Sequence, residues 1–289
     1  EINEVIDSLR NGWLGTGPKT KRFEEDFAKY KSSKFSLALN SCTAGLHLSC
    51  LTLDLKPGDE VITTAMTFCA TVNAIIHAGG KPVLVDIDPS NWNIDCNKLE
   101  EKITSKTKAI IPVHFAGRAC DMDKIIDISK KYNLKVIEDC AQAQGAKYKN
   151  KFVGTFGDFG CFSFYPTKIL GSYGDGGFIL TNNKNFYKKI KRIRFYGIET
   201  IDKKNRFYKK YYANENGLNS RIDEIQCTIL NFKLRHINKF IEKRVFLASE
   251  YLKNLKNTGL KLPFKNKGNK HVYHLFTVYH PKKNIIEKL

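Results

Sequence analysis

The sequence has no long hydrophobic run. Nothing in its 289 residues approaches the roughly 20 consecutive apolar positions that span a bilayer. No basic segment leading into an apolar stretch opens it, as a secretory signal would. There is no Cys-x-x-Cys pair either. Eight cysteines are scattered from Cys42 to Cys227, several inside apolar segments, so they read as buried, reduced thiols of a cytoplasmic protein, with no metal site expected. Internal repeats and low-complexity tracts are absent, and 42% hydrophobic with 12% aromatic residues is too much for general disorder. Acid is scarce relative to base: Asp+Glu 29 against Lys+Arg 48 leaves a net charge of +19. That excess raises the question of nucleic acid, but the lysines are interleaved with Asn, Ile and Tyr, and no homeodomain-like, zinc-finger or RNP signature accompanies them. The charge reads as a solvated basic surface, with local positive potential suited to a polyphosphorylated small substrate. No nucleic-acid or membrane partner is expected.

What is present is an alternation of short apolar runs and helical patterns. Candidate strands are Ser36–Leu39, Glu60–Thr63, Pro82–Asp86, Ala109–Phe115, Lys135–Glu138, Gly160–Phe164 and Gly177–Leu180. Helical spacing fills most of the gaps, around Ala44–Leu53, Cys69–Ala78 and Met122–Tyr132, and again at Asn185–Phe195. This predicts an α/β domain with a mostly parallel, seven-stranded sheet and helices on both faces. The short Phe164–Gly177 connection leaves room for an antiparallel last pair. Tyr196–Asn219 reads as a long loop. A helical pattern from Arg221 (Ile225, Ile229, Leu230, Leu234, Ile237, Ile241) runs long, and Tyr273–Tyr279 looks strand-like. The predicted organisation is a large domain over 1–235 with an N-terminal arm over 1–30, and an incomplete small α/β domain over 236–289. Glu1 opens inside an amphipathic pattern and Leu289 closes at the start of another, so a longer chain is expected.

The chemistry collects at strand carboxyl ends, where open α/β sheets bind their ligands. Asp139 closes the fifth strand and Lys168 follows the sixth, in Ser163-Phe164-Tyr165-Pro166-Thr167-Lys168. A lysine amine and a carboxylate meeting at one end of a parallel sheet suit pyridoxal 5′-phosphate (PLP). The amine condenses with the cofactor aldehyde, and the carboxylate keeps the pyridine nitrogen protonated so that the ring is an electron sink. Taken alone, such a pair is more often a surface ion bridge. Thr43 and Ala44, in Asn40-Ser41-Cys42-Thr43-Ala44-Gly45, open a helix and are candidates for cradling a phosphate; a plain Ser/Thr cap is the competing reading. Phe68 is placed to stack on a ring, Gln142 to reach the ring oxygen and Ser163 to donate to the phosphate. Lys168, once displaced by substrate, is the natural base for moving a proton. Glu138 faces the other side of its strand and reads as structural. The glycine-rich Gly171–Gly177 stretch matches neither a Walker loop nor a dinucleotide fingerprint. His114 reads either as a cofactor-rim residue or as a bonded core histidine. His271 and His274 lie in a strand-like run that would send their rings to opposite faces.

Taken in order, Gly12-Trp13-Leu14-Gly15-Thr16-Gly17-Pro18, Ser41–Ala44, Pro57–Ile62, Thr67-Phe68, Pro82–Asp86, Pro112-Val113-His114, Glu138–Gln142, Ser163–Lys168 and Gly217-Leu218-Asn219-Ser220-Arg221 resemble the DegT/DnrJ/EryC1/StrS family of nucleotide-sugar aminotransferases. That family belongs to the fold-type I PLP enzymes, and the resemblance covers essentially the whole chain. It implies Lys168 as the Schiff-base lysine, Asp139 as the pyridinium partner, Phe68 as the stacking residue, Thr43, Ala44 and Ser163 as phosphate ligands, and Gln142 near the ring oxygen. It further implies a homodimer with shared sites, in which Asn219 reaches the neighbouring subunit's phosphate and Arg221 helps to order that loop. Trp13 and Thr16 would line the sugar site. The implied reaction moves an amino group from L-glutamate to a nucleotide-diphosphate keto sugar, at C4 of a 4-keto-6-deoxy sugar by the Trp13–Pro18 pattern, for amino-sugar and surface-glycan synthesis. The related sugar dehydratases usually carry His at the Schiff-base position, which Lys168 opposes. A non-catalytic, cofactor-binding or regulatory descendant is the other alternative. Asp175 stands where Glu is frequent, a mild departure.

Overall fold

In Val136-Ile137-Glu138-Asp139, successive side chains must point to opposite faces of a sheet, and the fold follows that alternation throughout. The computed structural model describes residues 1–198, 212–264 and 268–282. Its strands are β1 (Phe35–Leu39), β2 (Glu60–Thr64), β3 (Lys81–Val85), β4 (Thr107–Ile110), β5 (Lys135–Asp139), β6 (Lys147–Tyr148), β7 (Lys151–Phe152), β8 (Phe159–Ser163) and β9 (Gly177–Thr181). β6 and β7 pair as a small hairpin, and the other strands form one seven-stranded sheet in the order β1-β9-β8-β5-β4-β2-β3. β9 is antiparallel to both of its neighbours, β1 and β8, and the remaining pairs are parallel. The mostly parallel α/β sheet and the antiparallel final pair are both as expected. Six strands start and end within one residue of the sequence reading; the fourth stops at Ile110 instead of Phe115. Pro112 explains the difference, because it has no N–H to give to a ladder. Its carbonyl still accepts Asp139 N–H (2.9 Å), so the chain stays alongside β5 through a single bridge at Val113.

The helices are α1 (Ile2–Arg10), α2 (Pro18–Lys31), α3 (Cys42–Thr52), α4 (Cys69–His77), α5 (Met122–Lys131), α6 (Lys184–Ile193), α7 (Glu224–Leu234) and α8 (Ile237–Asn254). Local chemistry starts several of them. Asn183 Oδ1 accepts the N–H groups of Asn185 (2.8 Å) and Phe186 (3.2 Å) at α6, and Asp121 accepts that of Lys124 at α5. α2 has no side-chain cap of its own. The buried Glu224 carboxylate caps it from α7, accepting Gly17 N–H (2.8 Å), Lys19 N–H (2.6 Å) and Thr20 N–H (2.9 Å). The long helical pattern from Arg221 is split. His236 sits at φ −111°, ψ 2°, outside the helical region, and separates α7 from α8 although the apolar spacing runs on unbroken.

Helices cover both faces. Phe23 and Phe27 of α2, Ile125 of α5 and Leu230 of α7 pack on one; Leu46 of α3, Ile75 of α4 and Ile190 of α6 pack on the other. On the first face Phe27 meets Phe178, Phe162 and Phe164 edge-on, with centroids 4.7, 5.3 and 5.4 Å apart. Each such pair adds about 0.5–1.5 kcal/mol to area burial. Ile237, Ile241 and Val272 join this same core. The strand expected at Tyr273–Tyr279 does not form: Tyr273 takes φ 47°, and one bridge, Lys261 with Tyr279, remains. Much of the long loop expected at Tyr196–Asn219 lies outside the described residues. Its two ends are tied by the bridges Phe195 with Asn219 and Ile198 with Ala213.

Candidate active site

Because β1, β2, β4, β5 and β8 run in one direction, their carboxyl ends share one edge of the sheet, and antiparallel β9 brings its first residue, Gly177, to the same edge. A cavity of about 740 Å³ opens there, lined by Thr43, Phe68, Asp139, Gln142, Ser163 and Lys168, among others. This volume is the usual size for a cofactor and small-substrate site. Six of the residues singled out from sequence therefore meet in one place. Ala44, Trp13, Thr16 and Asn219 do not line it. Thr16 borders a separate cavity with Arg194 and Arg221, Trp13 is half-exposed beside α1, and Asn219 is exposed.

Each wall is built by local structure. Ser41 caps α3 by accepting Ala44 N–H at 3.0 Å. The cap reading thus holds for Ala44, while Cys42 and Thr43 keep first-turn N–H groups that have no acceptor within the helix. A Cβ on Gly177 would fall 2.1 Å from the Ser41 carbonyl carbon, so only glycine lets β9 start against this helix N-terminus. Phe68 ends the β2 connection, directly before α4, and is 75% exposed. Gln142 commits its Oε1 to Ala116 N–H (2.6 Å), which leaves its NH₂ group as the donor it can offer.

Asp139 and Lys168 carry the electrostatics. Asp139 is buried, with Oδ1 accepting Ala141 N–H at 3.0 Å and Oδ2 accepting the Thr71 hydroxyl at 2.8 Å. Burial raises its pKa above the ordinary value of 3.8, although those two bonds and the electrostatic influence of His114 and Lys168 oppose the rise. Lys168 follows a tight turn in which its N–H bonds Tyr165 C=O at 2.8 Å. Burial lowers the pKa of its amine, against opposing contributions from Cys42 and Asp139. A lysine shifted this way offers more free amine near neutral pH. Ser172 Oγ donates within the following glycine-rich turn, 2.6 Å from Phe164 O and 2.7 Å from Gly174 O. These residues fit PLP: a buried carboxylate for a ring nitrogen, an amine for an aldehyde, and free N–H groups at a helix N-terminus for a phosphate.

Thr71 is the site residue that the sequence reading missed. It lies in the first turn of α4 and looks like any helical threonine. The available signal was its i, i+4 spacing from Thr67, with which it shares a 2.7 Å hydroxyl contact. Glu138 does face away from the cavity, as expected. It accepts from His114 Nε2 (3.0 Å) and from Gly154, Phe156 and Gly157 N–H groups, which makes His114 a core residue. His114, Glu138 and Cys140 offer ligand atoms within 4.8 Å of one another. They suit a metal poorly. His114 Nδ1 accepts Cys120 N–H at 3.1 Å, so Nε2 carries the proton, and burial keeps the Cys140 thiol protonated. His271 Nδ1 accepts Tyr273 N–H (3.1 Å), while Arg244 bonds the carbonyls of Tyr273 and His274.

Among the described residues no helix is long and apolar enough to cross a membrane. The sequence profile of the DegT/DnrJ/EryC1/StrS aminotransferase family matches residues 1–289. The dTDP-3-amino-3,6-dideoxy-alpha-D-galactopyranose transaminase of Aneurinibacillus thermoaerophilus is 43% identical over 279 residues, covering 96% of this chain and 74% of that enzyme. Among solved structures, S. venezuelae DesV in complex with a ketimine intermediate superposes with a TM-score of 0.92 at 33% identity, over 99% of this chain and 75% of that one. NtdA from Bacillus subtilis, solved with bound PMP, gives 0.88 at 34% identity, over 99% of this chain and 64% of its own. Sheet, cavity and relatives converge, and the chain belongs to the DegT/DnrJ/EryC1/StrS family as a PLP-dependent aminotransferase of nucleotide-linked sugars.

Proposed function

We propose that this enzyme moves an amino group from L-glutamate to the ketone of a nucleotide-diphosphate sugar, supplying an amino sugar for a surface glycan. The observation that carries the reading is the meeting of Lys168 and Asp139 in one cavity, at the carboxyl ends of adjacent parallel strands. When bound, PLP supplies an electron sink for the carbon that gains or loses the amine. Asp139 holds a proton on the ring nitrogen. Lys168 would hold the cofactor through its amine and, as a free amine, would be the base that moves the proton at the substrate carbon. Thr43 and Ser163 would hold the phosphate together with the free Cys42 and Thr43 N–H groups at the α3 N-terminus, Phe68 would cover the ring and the Gln142 amide would donate to the ring oxygen.

Asn219 serves the neighbouring subunit's site in a homodimer, and Trp13 and Thr16 line the sugar site. The exposed position of Asn219, away from the cavity of its own chain, supports its assignment. The Trp13–Pro18 pattern supports amination at C4 of a 4-keto-6-deoxy sugar. C3 is the second reading, favoured by the Aneurinibacillus relative, whose name specifies a 3-amino product. Eight unpaired cysteines support a reducing compartment, the cytoplasm.

The test is the visible spectrum of the protein loaded with PLP, before and after L-glutamate, followed by NMR of the products from dTDP-linked 4-keto and 3-keto 6-deoxy sugars. A cofactor band that glutamate converts, and an amine at C4, are expected. An amine at C3 selects the second reading. A band that no amino donor converts removes the enzymatic role and leaves a cofactor-binding or regulatory protein.

A further inference from the structure

We infer that Thr71 is a positioning residue for the cofactor: its hydroxyl, oriented by Thr67, aims the Asp139 carboxylate at the ring nitrogen. The inference rests on Asp139 being the ring-nitrogen partner. Thr71 is fully buried on the first turns of α4, and its Oγ1 lies 2.8 Å from Asp139 Oδ2 and 2.7 Å from Thr67 Oγ1. An ionised carboxylate can only accept, so the single Thr71 proton goes to Asp139. The Thr67–Thr71 bond must then take its proton from Thr67. The result is a directed chain from the cavity wall, Thr67 to Thr71 to Asp139. Its geometry is over-determined: Oδ1 is held by Ala141 N–H and Oδ2 by Thr71, so the carboxylate cannot rotate without breaking one of them. Each oxygen keeps one lone-pair direction for a further donor.

The hydroxyl also acts on charge. Asp139 is buried, and the titratable groups that interact with it are the thiols of Cys42, Cys120, Cys140 and Cys161, the amine of Lys168 and, from the other side of β5, the imidazole of His114. Thr71 is one of two neutral donors that favour the ionised form. Without it, Asp139 takes up its proton at higher pH and stops holding the ring-nitrogen proton sooner on acidification.

The experiment measures equilibrium binding of PLP to the full chain across pH for wild type, Thr71→Val, Thr71→Ser and Asp139→Asn. The structure predicts about tenfold weaker binding for Thr71→Val, as expected for loss of a hydrogen bond to a charged group. The pH of cofactor release on acidification should move upward, and Thr71→Ser should restore both quantities. Wild-type affinity and release in Thr71→Val overturn the inference. So does a Thr71→Ser defect as large as that of Val, which marks a packing role. If Thr71→Val does not fold, Thr67→Val carries the test, with a smaller shift of the same sign expected and no shift counting against the chain of hydroxyls. Asp139→Asn separates the two levels: wild-type binding there defeats the assignment of Asp139 itself, whereas weak binding there with a normal Thr71→Val defeats only the role of Thr71.

Discussion

His114 and Glu138 form a fully buried pair, with Nε2 3.0 Å from Oε2, on the opposite face of β5 from Asp139. Burial alone would push the Glu138 carboxyl up, but His114 and the backbone N–H groups of Gly157 and Gly154 hold it below its ordinary value of 4.5. A carboxyl depressed on folding contributes stability that is complete above its unfolded pKa and is lost as pH falls through the folded one. Glu138→Gln should therefore cost about 3 kcal/mol at neutral pH, since four donors lose their charged acceptor. The gap to wild type should narrow below pH 4.5. Urea unfolding of both proteins from pH 7 to pH 3 checks this, and a pH-independent gap would refute it.

Lys31, in the last turn of α2, has the opposite character. Its ammonium is buried without a hydrogen-bond partner among the described residues, 4.6 Å from the Phe162 ring centroid and 4.8 Å from that of Phe152. Burial pushes its pKa down to about 8, with Cys140 and Glu138 drawing it partly back. Between that value and the ordinary 10.5 the unfolded chain holds a proton that the folded one has released, so wild-type stability rises with pH across this window. Lys31→Met should stabilise the protein by on the order of 3 kcal/mol at pH 7. That advantage should shrink as the pH approaches 10.5. Thermal melts at pH 7 and pH 10 suffice, and a destabilised Met variant would show that the ring contacts outweigh desolvation.

Gly177 tests how closely β9 and α3 must meet. Any Cβ there collides with the Ser41 carbonyl, at 2.1 Å from its carbon and 2.3 Å from its oxygen, and backbone cannot rotate away as a side chain can. Gly177→Ala should cost about 1–3 kcal/mol, and it should weaken PLP binding further than the stability loss explains, because the displaced helix N-terminus is the proposed phosphate end of the cavity. A variant that melts early but binds PLP normally would separate the two effects.

Much of the sheet was legible because buried parallel strands read as short apolar runs between turns, and Lys168, Asp139, Thr43 and Ser163 were legible because each sits at a strand end or helix start. Three features were not. The break at His236 leaves no trace in apolar spacing, since Leu234, Ile237 and Ile241 continue the stripe across it. The strand expected at Tyr273–Tyr279 fails on a left-handed Tyr273, which tertiary contacts impose. Thr71 is invisible because its meaning depends on Asp139, a residue far away in sequence.

The placement of β9 has a consequence for biosynthesis. β1 sits at the sheet edge and pairs with β9 alone, which itself bridges to β8. A nascent chain that has emerged only as far as Ser163 already holds α3 and the acidic end of β5, but it has nothing to dock β1 against. β1, the strand that leads into α3, therefore reaches its place in the sheet only once residue 181 has left the ribosome. Such long-range closure is slow, and it leaves the edge of the sheet that feeds α3 among the last parts to close.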